Sequence, residues 1–133
     1  MDNKNLWPDF ENIPKITSPR SILIEQASFL AEKTKNLLSA EVGGGNTKEG
    51  RIYYRFIIIA PLLKNYTYRL FTLSHDIFYY PCEISFQSQI MQIGSEDQLI
   101  ERLKLIFNNE NTQRIIASLI GQSKDIATEG SEY

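Results

Sequence analysis

Apolar residues recur at spacings of three and four through Leu23, Ala27, Leu30, Thr34, Leu37 and Leu38. Ile22 and Phe29 widen this stripe, and Glu25, Glu32, Lys33, Lys35 and Asn36 mostly take the other side. Ser18 is a good N-cap and Pro19 suits the first helical position. Gly43 to Gly45 supply the left-handed stop that a helix end favours. The spacing therefore predicts a helix over 19–42, about 36 Å long. Residues 43–50, Gly-Gly-Gly-Asn-Thr-Lys-Glu-Gly, then read as a mobile linker. They are not a phosphate-binding loop, because such a loop joins a strand to the helix that follows and this one follows a helix.

From Arg51 the period changes to two. Tyr, Phe and Ile dominate 51–60, and 66–74 and 77–86 follow in the same style. Pro61, Lys64-Asn65 and Ser74-His75-Asp76 punctuate them, and connections this short predict an antiparallel meander. With Ala60 opposite Thr67 and Ser74 opposite Ile77, one face carries Ile52, Tyr54, Phe56, Ile58, Phe71, Leu73, Phe78, Tyr80, Cys82 and Ile84. Arg69 is its one misfit. The second face carries Tyr53, Arg55, Ile57, Ile59, Tyr68, Leu70, Thr72, Ile77, Tyr79 and Glu83, and is half polar.

Residues 87–93 read as a fourth short strand or a packed loop. Ser95 then caps a second helix, with Gln98 completing a capping box before Leu99, Ile100, Leu103, Ile106 and Phe107. A third helix carries Ile115, Ile116, Leu119 and Ile120, with Gly121 near its end. The expected fold is α+β: a three-stranded, or four-stranded, antiparallel meander in the order α-β-β-β-α-α. The long N-terminal helix covers one face, and the two C-terminal helices cover the other or pack end-on. Residues 18–123 are expected to form a single α+β domain, with 124–133 a flexible acidic tail. Residues 1–17, broken by Pro8 and Pro14, form an extended arm. Trp7 and Phe10 either clip that arm onto the domain or lie on a second subunit.

The order α-β-β-β-α resembles that of the double-stranded RNA-binding domain. That family opens its last helix with phosphate-gripping lysines, whereas Ser95-Glu96-Asp97-Gln98 here repels phosphate. Size, acidity and helix-plus-sheet make-up are also similar to small secretion chaperones, which dimerise through a strand and a helix.

Composition narrows the classes. The chain has 133 residues, 42% hydrophobic, with net charge −2, which suits one domain and excludes wholesale disorder. Residues 1–50, 51–94 and 95–133 carry net charges of −1, +2 and −3, so no segment has the cation density that drives duplex binding. The longest apolar run, Phe56 to Ala60, is far short of the roughly 20 residues that span a bilayer. The start of the chain lacks the pattern of a signal peptide. A cytoplasmic location with no membrane contact is expected.

Candidate chemistry is sparse. One cysteine, Cys82, excludes an intrachain disulfide and any multi-cysteine zinc site. With Arg69 as its cross-strand neighbour, Cys82 is a candidate nucleophile; the bland alternative is an inert buried thiol. The lone His75, beside Asp76, is expected in a solvated turn. Glu96 with Asp97 favours a helix N-terminus, and Glu25 with Glu32 a solvated helix face. No catalytic residue, cofactor or metal site is assigned.

The expected function is therefore a non-enzymatic protein-interaction module of adaptor, chaperone or immunity-like type, working as a homodimer. The interface candidates are Trp7, Phe10, Tyr53, Arg55, Ile57, Tyr68, Leu70 and Tyr79. One alternative is a single-stranded nucleic-acid-binding domain using Tyr53, Arg55, Tyr68 and Arg69. The other is a small enzyme using Cys82 or His75.

Overall fold

The computed structural model describes residues 4–131, the last three as backbone alone. The layout is α+β. Helix α1 (Pro19–Lys33) precedes strands β1 (Ser39–Lys48), β2 (Arg51–Ala60), β3 (Tyr66–His75), β4 (Cys82–Phe86) and β5 (Gln89–Ile93). Helices α2 (Glu96–Phe107) and α3 (Glu110–Ser131) follow. The strands form one antiparallel sheet in the order β1-β2-β3-β4-β5. Five strands replace the expected three or four, so the likeness of strand order to the double-stranded RNA-binding domain does not hold.

Both extra strands arise where turn chemistry outweighs periodicity. Helix α1 starts as expected, with the Ser18 hydroxyl accepting from the Ser21 N–H at 3.1 Å. It ends at Lys33 instead of 42. The Asn36 N–H donates to the Ala31 carbonyl at 2.8 Å and the Lys35 N–H to Glu32 at 3.3 Å. With Lys35 at φ 53, this is a Schellman stop made without glycine. Thr34 reinforces it: its hydroxyl donates to the Leu30 carbonyl at 2.9 Å and accepts the Leu38 N–H at 3.1 Å.

The glycines 43–45 are neither helix stop nor linker; they lie within β1. The register of β1 on β2 shifts between Gly44 and Asn46. At Gly44, φ is +119 and an added Cβ would sit 2.4 Å from the Tyr53 carbonyl oxygen, so this bulge requires glycine. Glu49-Gly50 and Gln87-Ser88, all at positive φ, close tight two-residue hairpins into β2 and β5.

The pairing of β2 with β3 corrects the expected faces. Ile52 to Phe56 keep the expected register, but a bulge follows: Phe56 pairs with Phe71, and Ile57 with Arg69. Leu70 is the extra residue and is buried beside Phe71. Arg69 therefore turns to the opposite face and ceases to be a misfit. Tyr68, opposite Ile58, moves onto the core side, and Ala60 meets Tyr66 in place of Thr67. The expected third strand is cut in half. Residues 76–81 form a loop in which Ile77 is 83% and Phe78 70% exposed, and the Asp76 carboxylate accepts the Phe78 N–H at 2.9 Å. Ser74 consequently pairs with Glu83, not Ile77.

All three helices pack on one side of the sheet. Leu23 and Ala27 of α1, Leu99, Leu103 and Ile106 of α2 and Leu119 of α3 join Phe56, Ile58, Leu70, Phe71, Leu73, Cys82, Ile84 and Ile93 in one buried cluster. Phe107 of α2 meets the stacked pair Phe56–Phe71 at 5.5 and 6.4 Å between ring centres. Neither C-terminal helix covers the second face. Helix α2 is capped as expected: the Ser95 hydroxyl accepts the Gln98 N–H at 3.2 Å. Helix α3 does not end near Gly121 but continues through residues expected as a frayed tail.

Candidate protein interface

The second face of the sheet is built from alternate residues of every strand. Strand β2 contributes Arg51, Tyr53, Arg55, Ile57 and Ile59; β3 contributes Arg69, Thr72 and Ser74. Glu41 and Gly43 of β1 flank Ile57 and Arg55, and Glu83, Ser85, Ile90 and Gln92 of β4 and β5 complete the face. Tyr53, Arg55, Ile57 and Ile59 are half-buried by their in-plane neighbours and belong to no part of the helix-side cluster. Ile90 is 67% exposed.

One end of this face is tied together by polar contacts. The Arg51 guanidinium donates to the Ser74 carbonyl and hydroxyl at 3.2 and 3.1 Å. It lies 3.8 Å from the Glu83 carboxylate, which accepts from the Gln92 amide at 2.7 Å. Ser74 is buried because that guanidinium covers it. Arg55 lies across Gly43, where an added Cβ would be 3.5 Å from its guanidinium. Neither Arg55 nor Arg69 has a carboxylate partner among the described residues.

The remaining interface candidates separate. Tyr79 lies in the 76–81 loop. Trp7 and Phe10 are exposed on the arm, their rings 6.2 Å apart. The arm is not clipped to the domain, since every residue from Lys4 to Thr17 is exposed. Leu70 is in the core, and Tyr68 packs against it from the helix side. The nucleic-acid reading thus loses one of its two tyrosines from the open face. Sequence reasoning missed that the loop 76–81 projects Ile77 and Phe78 outward. Their apolar character pointed to a strand, and only the Asp76 turn two residues before Phe78 signals otherwise.

His75 and Cys82 behave differently from expectation. His75 is not a solvated turn residue: it ends β3, is 2% exposed, and pairs directly across the sheet with Cys82. Arg69 is therefore not the neighbour of the thiol. The His75 Nδ1–H donates to the Asp76 carbonyl at 2.6 Å, and the ring lies between Tyr54 and Tyr79 at 5.8 and 5.6 Å. Cys82 is fully buried, and that burial pushes its thiol up to about 11. A thiol so placed stays protonated at neutral pH and is a poor nucleophile. Burial likewise pushes the Tyr80 phenol up to about 12, and its oxygen is buried without a hydrogen-bond partner. Glu25 and Glu32 are exposed on α1, and Glu96 and Asp97 occupy the first turn of α2.

Among the described residues, no three His, Cys, Asp or Glu side chains converge on a metal site. Within the same residues, no helix is long and apolar enough to cross a membrane. No protein-family model matches the chain, no curated protein matches it, and no solved structure matches it.

Proposed function

We propose that the protein is a non-enzymatic interaction module that works as a homodimer and uses the uncovered sheet face. The observation that carries this reading is the placement of all three helices on one side of the sheet. The other side keeps Tyr53, Ile57, Ile59 and Ile90 among arginines and carboxylates, a mixture that suits protein interfaces. A two-fold axis is the commonest way to cover such a surface. The raised Cys82 thiol weighs against the reading that uses it as a nucleophile.

Light scattering on the wild-type chain is expected to give twice 15.3 kDa. Ile57→Asp with Ile59→Asp is expected to return 15.3 kDa while the helical circular dichroism stays unchanged. A wild-type monomer at every concentration would overturn the reading.

A further inference from the structure

The arm carries Leu6, Trp7, Phe10, Ile13 and Ile16, all exposed, Trp7 to 76%. The last four recur every third residue around Pro8 and Pro14, and a turn at 10–13, closed by the Ile13 N–H donating to the Phe10 carbonyl at 3.3 Å, brings Phe10 and Ile13 close together. At roughly 150–250 Å² per aromatic side chain, the five present on the order of 700 Å² of apolar surface. Among the described residues nothing buries it. The arm leaves α1 through Ser18 at φ −73, ψ 148, an extended conformation that the following proline favours.

Charge indicates where it goes. Asp9 and Glu11 flank Phe10 at the centre of the arm, with Lys4 and Lys15 towards its two ends, and neither carboxylate pairs with a cation among the described residues. Of the three arginines on the open face, Arg55 and Arg69, beside Ile57, have no carboxylate partner among the described residues, since Arg51 is held by Glu83 and Ser74. Two arms exchanged about a two-fold axis, with the faces beneath them, reach the roughly 1,200–2,000 Å² of a stable interface; one arm folded back covers half as much.

We propose that the arm of one copy lies across the open sheet face of a second copy, and reciprocally, with Asp9 and Glu11 meeting Arg55 and Arg69. This rests on the homodimer reading and names the element that covers the face. Trp7, the single tryptophan, reports on it through acrylamide quenching, while light scattering reports the mass separately. In the wild-type dimer, Trp7 is shielded and becomes quenchable on dilution. Arg55→Glu/Arg69→Glu sets Asp9 and Glu11 against glutamates, and Asp9→Lys/Glu11→Lys sets lysines against Arg55 and Arg69. Each alone raises the dimer dissociation constant by about tenfold or more and exposes Trp7. Mixing the two variants restores both shielding and the dimer mass, because each arm then finds the opposite charge on the other chain. A dimer with Trp7 freely quenchable overturns the arm exchange and leaves the homodimer standing. Shielding that survives dilution, or variants that mixing fails to rescue, shows an arm docked on its own chain and also overturns it. A monomer mass overturns both.

Discussion

The two sides of β2 are written in nearly the same alphabet and end in opposite environments. Phe56, Ile58 and Ala60 are at most 2% exposed beneath the helices, whereas Ile57 and Ile59 between them stay half-buried with no helix above. The strand itself does not decide the outcome. Its neighbours do: on the covered side they offer Phe71, Leu73 and Ile84, on the open side Thr72, Ser74, Glu83 and Ser85. A helix docked on the second set would strand hydroxyls and charges away from water, which is costly without partners. The helices therefore share one side, and the isoleucines of the other keep no helix above them.

Substitutions on the two sides test this contrast. Phe71→Ala empties a site stacked on Phe56 and beside Phe107, and is expected to cost about 4 kcal/mol. Ile57→Ala is expected to cost about 1 kcal/mol or less when urea unfolding is followed at low protein concentration. Equal losses would erase the distinction between the faces. The bulge sharpens the comparison to adjacent residues. Leu70→Ala is expected to cost about 3 kcal/mol, and Arg69→Ala within about 0.5 kcal/mol, by the same measurement. The smallest effect concerns alkaline pH. The Cys82 thiol keeps its proton up to about 11 in the folded chain, against an ordinary value of 9.0. The folded state then binds more protons, so this contribution is intact below pH 9 and is lost as pH rises towards 11. Cys82→Ala is expected to flatten the fall in urea midpoint across that window, and Tyr80 extends the remaining fall towards 12.

Much of the covered side was legible from alternation alone. Phe56, Ile58, Phe71, Leu73, Cys82 and Ile84 share a face because side chains on a strand point to alternate sides. The caps at Ser18 and Ser95 were legible from residue type. The failures have local causes. Strand β1 was hidden because Gly43-Gly44-Gly45 removes the apolar signal where the bulge needs space. The end of α1 was hidden because Lys35 takes a left-handed conformation usually given to glycine. Tyr68, Arg69 and Leu70 were misplaced by one extra residue in β3, which exchanges faces beyond it. For the candidate interface, Tyr53, Arg55 and Ile57 followed from alternation. The pairing of His75 with Cys82 did not, because it depends on how the 76–81 loop leaves the sheet.

The neighbour-to-neighbour strand order also bears on how the chain is made. Each hairpin closes a short loop, so the ladders can zip up as the polypeptide emerges from the ribosome, without waiting for distant partners. Their oily side gains no such early shelter. Until α2 and α3 have been synthesised, Phe71, Leu73 and Ile84 lack the helices that complete their cover. The nascent protein is therefore most prone to aggregate just before these two helices appear.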